Sequence, residues 1–331
     1  MAIRHAIIMS NILSKNDCIL VAGARGLVGS SIARALHAKG FENILMPTHT
    51  ELDLMDAETV KLFFKRYQPR YVFLAAAKVG GIHANNTYPA DFIFNNLTVQ
   101  NNVIHESWRQ GVKRLIFLGS SCVYPRNCLQ PIKEEYLMTG DLERTNRPYA
   151  IAKIAGIELC WACNRQYGTQ FLSVMPTNLY GPGDNFHLEN SHVMPALIRK
   201  MHEAKIDNRQ EVEIWGTGKP RREFLYVDDL AEACFFLMNL PEDRYVNLLN
   251  KQEGPWVNVG CGEDLTIAEL AKLVAEVVGY SGKFCWNTNQ PDGTFRKLLD
   301  VNLLRSLGWK PKVNLKEGIQ KAYEAYLAGL E

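Results

Sequence analysis

The chain has 331 residues, of which 47% are apolar and 22% charged, and its 37 basic and 35 acidic side chains leave a formal net charge of +2. That length accommodates two compact domains with a sizeable core. The composition excludes a disordered tail, a collagen-like repeat and a highly charged nucleic-acid arm, and it argues against general affinity for nucleic acid or anionic membranes.

From the N-terminus, residues 1–16 read as a loosely held extension. Their apolar run, Ala6 to Met9, is too short for a signal-peptide core. Cys18 to Val21 is a β-prone run that leads into a glycine-rich loop at 23–29. Helical spacing starts at Ser30, with Ile32, Ala35 and Leu36 on one face and Gly40 as the stop. A second β run covers 44–47, helical spacing returns over 57–67, and Tyr71 to Ala75 is a third strand. Residues 92–110 predict a long helix, Arg114 to Gly119 a strand, 148–167 a helix and Gln170 to Met175 another strand. This alternation calls for a parallel sheet covered by helices on both faces. After Pro176 the rhythm changes. PTNLYGPGDN reads as loop, Tyr226 to Leu240 as a helix returning to the sheet, and 256–331 as short strands with helices near 266–278 and 315–328.

The eight cysteines, at 18, 122, 128, 160, 163, 234, 261 and 285, are scattered rather than arranged as a small disulfide framework. That usage points to a reducing compartment. Cys160 and Cys163 form one CxxC, but no second pair or nearby His completes a zinc set, so they read as packing residues and no metal is expected. No uncharged apolar run approaches the ~18 residues of a membrane span. The expected location is cytoplasmic.

Gly23, Ala24, Arg25, Gly26, Leu27, Val28 and Gly29 place glycines first, fourth and seventh between a strand and a helix. There glycine lets the backbone turn tightly and approach a pyrophosphate, whose charge the helix N-terminus favours. The plainer alternative is a tight turn with no ligand. An acid at the end of the second strand would bind a ribose 2′-hydroxyl and favour NAD. The tip here reads Met46-Pro47-Thr48-His49-Thr50, without an acid, and Arg25 is available to face the same pocket, so NADP is favoured. Asp53 and Leu54 fit a segment near the adenine. The expected fold is α/β: a Rossmann-type doubly wound parallel sheet over 17–180 and 224–250, with a smaller α/β C-terminal substrate domain over 181–223 and 251–331.

Tyr149 and Lys153 are four apart, hence on one helical face, and Ser120 follows the strand Leu115 to Leu118. Hydride transfer to a ketone needs a proton donor for the developing alkoxide. A phenol gives that proton if a nearby ammonium stabilises the phenolate, and Ser120 supplies a second hydrogen bond to the oxygen. An ordinary amphipathic face explains the Tyr–Lys pair alone; the glycine loop, the serine and YxxxK in this order make a stronger combination.

With these residues in place, the chain resembles the extended short-chain dehydrogenase/reductase family. Gly119-Ser120-Ser121-Cys122-Val123-Tyr124-Pro125, the run Arg147 to Gly156, and Met175 to Pro182 through Asn190-Ser191-His192-Val193 resemble its branch of GDP-keto-sugar epimerase/reductases, over about residues 17–330. The resemblance implies GDP-4-keto-6-deoxy-D-mannose as substrate, epimerised at C3 and C5 and then reduced at C4 by NADPH to GDP-L-fucose. It assigns the epimerisation acid and base to Cys122 and His192. Further cofactor contacts are implied for Leu118, Gly119, Ser120, Ser121, Lys153, Pro176, Thr177, Asn178, Leu179 and His192. Lys200, Trp215, Arg222 and Asp292 are implied to hold the GDP portion. The family carries Arg where His49 and Lys200 stand, so this chain loses a bidentate fork at both. A homodimer is implied through a four-helix bundle of 92–110 and 148–167, with Leu159 and Cys163 at its seam.

Three competitors remain. A 4,6-dehydratase of this family would carry Thr-Asp-Glu after the strand, where this chain has Ser121-Cys122-Val123. An NAD-dependent nucleotide-sugar 4-epimerase has no use for Cys122 and His192. A non-catalytic NADP-sensing regulator would not need Tyr149 and Lys153.

Overall fold

A computed structural model describes residues 12–188, 191–290 and 292–330. Along the first half, β1 (Ile19–Ala22), α1 (Leu27–Ala38), β2 (Ile44–Leu45), α2 (Ala57–Tyr67), β3 (Tyr71–Leu74), α3 (Ile82–Thr87), α4 (Pro89–Arg109), β4 (Arg114–Leu118), α5 (Arg147–Tyr167) and β5 (Phe171–Pro176) alternate. Then come β6 (Asn178–Tyr180), α6 (Val193–Ile206), β7 (Glu211–Trp215), β8 (Arg221–Tyr226), α7 (Val227–Met238), α8 (Glu242–Leu249), β9 (Trp256–Val259), β10 (Asp264–Thr266), α9 (Ile267–Val278), β11 (Lys283–Asn287), β12 (Arg296–Lys297), α10 (Asn302–Ser306) and α11 (Leu315–Ala328).

The main sheet runs β2-β1-β3-β4-β5-β9, with every pair parallel. Its central strands are buried end to end, as a sheet covered on both faces requires. Ile32 and Leu36 of α1 and Leu230 and Leu237 of α7 pack on one face. Phe64 of α2, Val103 of α4 and Ile157 of α5 pack on the other. The chain leaves β1 for β2 on one side and reaches β3 on the other, so the strand order reverses there and a crevice opens at the C-terminal strand ends.

In the second lobe, β8 lies between β10 and β12 with β6 alongside, and β11 pairs with β7. Helices α6, α9 and α11 close over these strands through Met201, Leu270, Val274 and Ile319. A Thr266–Glu269 capping box starts α9, and Gly279, at φ 76°, ends it.

Three sequence expectations change. Residues 256–259, expected in the second domain, form β9 and extend the main sheet beyond β5, because all four side chains are buried there. The stretch expected as loop after Pro176 contains β6, whose three residues are too few to show a period. The extension expected over 1–16 is held from Ile12 onward. Leu13 is buried, the N–H groups of Ile12 and Leu13 donate to Asn239 Oδ1 at 2.8 and 3.1 Å, and Tyr71 donates to the Ile12 carbonyl at 3.2 Å. Residues 1–11 lie outside the described residues.

Arg114 begins β4 and is fully buried, an unusual place for a cation. It donates to the carbonyls of Met238 and Leu240 at 2.9 and 2.7 Å, to Gln170 at 3.0 Å and to Glu242 at 2.7 Å, and its guanidinium lies 3.9 Å from the Tyr245 ring centroid. It therefore ties the end of α7 to the sheet. Arg114→Met would strand two buried carbonyls, so urea unfolding is expected to register a loss of about 2–4 kcal/mol.

All eight cysteines are free thiols. Cys163, expected at a subunit seam, is buried inside the protomer's own core beside Cys160, so it faces inward. Among the described residues no helix is long and apolar enough to cross a membrane, and no group of three or more metal-ligating side chains gathers.

Candidate active site

The glycine loop joins β1 to α1 at the crevice. Gly23 sits at φ 86°, and a Cβ there would meet the Ala76 backbone at 2.7 Å. A Cβ at Gly29 would run into the Gly23 carbonyl. These glycines let the loop lie flat on the sheet. At Gly26, by contrast, a Cβ would meet only the Gly23 carbonyl, at 3.5 Å, so the loop presents bare backbone to the crevice. The N-terminus of α1 has no side-chain cap and no acid in its first turn, which leaves its N–H groups and positive dipole end available to an anion. This cradle fits a dinucleotide pyrophosphate.

At the adenosine end the 46–50 tip carries no acid, as its sequence shows. Glu51 folds back, its carboxylate accepting from Thr48 N–H at 2.7 Å while its own N–H donates to Thr48 Oγ1 at 3.3 Å. These bonds hold the exposed Glu51 carboxyl below its usual range, with a smaller contribution from Arg25. Glu51 thus stands just beyond the 46–50 tip, six residues past the end of β2, with its carboxylate turned onto Thr48. The Thr-x-x-Glu spacing at 48–51, a capping-box pattern, was the signal for it. His49 is exposed, with Nε2 3.8 Å from Asp53, and Asp53 also accepts from Met55 N–H at 2.9 Å. Leu54 is partly buried against the core.

At the end of β4, a Cβ on Gly119 would meet Met175 Sδ at 2.6 Å, so β4 and β5 approach closely where Ser120 emerges. Ser120 caps the short turn Ser121–Val123 by accepting from Cys122 N–H at 3.2 Å. The first turns of α5 bring Tyr149 and Lys153 alongside. Lys153 is buried, donates to the Leu118 carbonyl at 2.7 Å and lies 4.7 Å from the Phe117 ring centroid. Burial lowers its pKa to about 7. Burial raises the Tyr149 phenol above its usual range, the nearby Cys122 adds to this, and a hydrogen bond with Ser120 opposes it.

The second lobe supplies the remaining candidate side chains. His192 is the N-cap residue of α6. The residue is exposed, yet the protein around it lowers its pKa by desolvation, and the Lys297 ammonium adds to the shift. Lys297 also reaches Cys122, with Nζ 3.6 Å from Sγ. Sequence reasoning missed this lysine. In the β12–β8 pairing Lys297 registers with Arg222, whose pKa is lowered by burial against the attraction of Cys122 and Asp292. Trp215 is exposed, with Lys200 Nζ 5.3 Å from its ring centroid and 3.1 Å from the Glu213 carbonyl. The Asp292 carboxylate accepts from Thr217 N–H and Oγ1 at 2.7 and 2.8 Å. It thus clasps two loops at the cleft edge. Pro176, Thr177, Asn178 and Leu179 pass between the lobes. Thr177 and Asn178 donate to the Glu223 carbonyl at 3.1 and 2.8 Å. The buried Glu223 carboxylate accepts from Gly262 and Leu299 N–H at 2.7 and 3.0 Å.

Residues 19–248 match the NAD dependent epimerase/dehydratase family. The chain belongs to this family. Within it, the chain is 57% identical over 319 residues to "GDP-L-fucose synthase 1" of Arabidopsis thaliana, covering 96% of each, and 51% identical over 309 residues to "GDP-L-fucose synthase" of Escherichia coli K12, covering 93% of this chain and 96% of that one. Among solved structures, a GDP-mannoheptose C4 reductase from Campylobacter jejuni with NADP bound superposes with a TM-score of 0.87 at 41% identity, covering 95% of this chain and 99% of that chain. The epimerase/dehydratase fold therefore runs through both lobes of the chain.

Proposed function

We propose that this protein converts GDP-4-keto-6-deoxy-D-mannose to GDP-L-fucose by epimerising C3 and C5 and then reducing C4 with NADPH. The observation that carries the proposal is Lys297 of the second lobe, which reaches Cys122 at 3.6 Å beside Ser120 and Tyr149 and also acts on His192. Similarity to two proteins named GDP-L-fucose synthase supports the substrate, and the NADP-bound reductase supports the cofactor.

The C3 and C5 protons are acidic because each lies α to the ketone. The Cys122 thiolate takes one of them, an S–H bond forms, and charge moves to O4. Tyr149 and Ser120 hydrogen-bond that oxygen. The His192 imidazolium then returns a proton to the opposite face, so the carbon is inverted and solvent restores both groups. The same residues serve the reduction, since charge again develops on O4. The 23–29 loop, the start of α1, Arg25 and Lys153 would hold NADPH, which would supply the hydride to C4. As the alkoxide forms, Tyr149 gives up its proton and Lys153 stabilises the phenolate.

We further read Trp215, Lys200 and Arg222 as the grip on the GDP, by stacking and by charge on the diphosphate. Asp292, occupied by Thr217, shapes that pocket. The protein works as a cytoplasmic homodimer; eight free thiols support a reducing compartment, and Tyr88 and Phe94 of the α4 region with Ile151 of α5 leave apolar surface exposed for a helical seam.

The test mixes the protein with NADPH and GDP-4-keto-6-deoxy-D-mannose. Absorbance at the reduced-nicotinamide band is expected to fall, with GDP-L-fucose as product and deuterium from heavy water at C3 and C5. Oxidation of NADPH without wash-in would mark a simple C4 reductase. Tightly held NAD with no net NADPH oxidation would mark a 4-epimerase.

A further inference from the structure

We propose that Lys297 is the charge partner of the epimerisation pair: its ammonium, 3.6 Å from Cys122 Sγ, holds the thiol as the proton acceptor and leaves His192 as the donor. This rests on the proposed epimerase chemistry and deepens it. Two acid–base groups on opposite sides of one sugar are interchangeable unless something tells them apart. A fixed cation does so, because it stabilises an anion and opposes a second cation beside it.

The geometry supplies such a cation. Lys297 is one of only two residues in β12, and its parallel pairing with β8 sets it beside Arg222. From there it crosses to the turn after β4 that carries Cys122. Lys297 and Cys122 line one small cavity together with Arg126, Glu143 and Arg296. Cys122 faces Lys297, Arg222 and Tyr149. Lys297 in turn faces Cys122, His192 and Cys128. His192 feels Lys297 in the expected sense: its protonated form is disfavoured, chiefly by desolvation from the protein around it and then by the ammonium, which makes the imidazolium a stronger acid once formed. Lys297 acts through the thiol, so it is a positioning residue.

The first test needs no substrate. Iodoacetamide alkylation is followed at pH 7 on the separate peptides of the full-length protein. In the wild type, Cys122 is expected to react faster than Cys285, although Cys285 is the more exposed thiol. Lys297→Gln is expected to slow Cys122 by about tenfold and leave Cys285 alone, while Lys297→Arg stays within about threefold of wild type. The second test follows deuterium wash-in at C3 and C5 against pH without reductant. Its rising limb is expected to move to higher pH in Lys297→Gln and to stay in place in Lys297→Arg.

Equal reactivity of Cys122 and Cys285 in the wild type overturns the proposal, whether or not the variants fold. So does a folded Lys297→Gln that alkylates at the wild-type rate, even if wash-in is lost, since that outcome puts the lysine on the substrate instead. Absence of wash-in from the wild type, with the alkylation pattern intact, would sink the proposed function and leave the lysine–thiol pairing standing.

Discussion

Tyr149→Phe is expected to cut the NADPH-dependent reduction by about a thousandfold, within the range assigned to a positioned general acid, while the protein melts at its wild-type temperature. Only the hydroxyl is lost. The ring still packs edge-on against Phe92, 6.3 Å between centroids, so a stability loss does not accompany the rate loss. Burial keeps the phenol protonated across the working pH range, which suits a donor. Lys153 sets the pH dependence. Its ammonium is disfavoured by burial, with a pKa lowered to about 7, so the charge that stabilises the phenolate is present below that value and is lost as pH rises through it. Negative charge on the bound dinucleotide moves the fall upward without changing its sign. Single-turnover reduction by the wild type is therefore expected to decline toward pH 9, and a rate that climbed over that interval would remove Lys153 from its role.

Cys122→Ser is expected to lower deuterium wash-in at C3 and C5 by about 10²–10⁴-fold, because a serine hydroxyl stays neutral where a thiolate is needed. Reduction of an already epimerised 4-keto sugar should stay within about tenfold, since Ser120, Tyr149 and Lys153 are untouched. Nuclear magnetic resonance reads the two effects separately, the first in heavy water without reductant and the second with it. Unchanged wash-in in Cys122→Ser would exonerate the thiol.

The parts of this site that the sequence made legible are those set by short-range geometry. Tyr149 and Lys153 share a face because helices repeat every 3.6 residues, and Ser120 reaches the crevice because it follows a buried parallel strand. Glycines 23 and 29 answer to steric limits inside one strand–loop–helix unit. Lys297 obeys no such spacing. It stands 175 positions from Cys122 and arrives through the register of a two-residue strand, which no periodicity can announce. His192 became a candidate only through resemblance, since a lone loop histidine carries no pattern of its own. Glu51 was overlooked although its Thr-x-x-Glu signature is local, because the acid was sought only over Met46 to Thr50. Strands β6 and β9 escaped correct placement for different reasons. The first is too short to show a period, and the second joins its sheet only after the chain has visited the other lobe.

Glu223 fastens the two lobes together beneath the cleft. Its carboxylate and carbonyl together fasten the end of β5, the loop after β9 and the approach to Leu299. Swinging the lobes apart like a clamshell would strip a buried anion of its N–H donors, at about 1–3 kcal/mol for each bond or more. The floor between the lobes is therefore riveted at Glu223, which resists a hinge opening at this point.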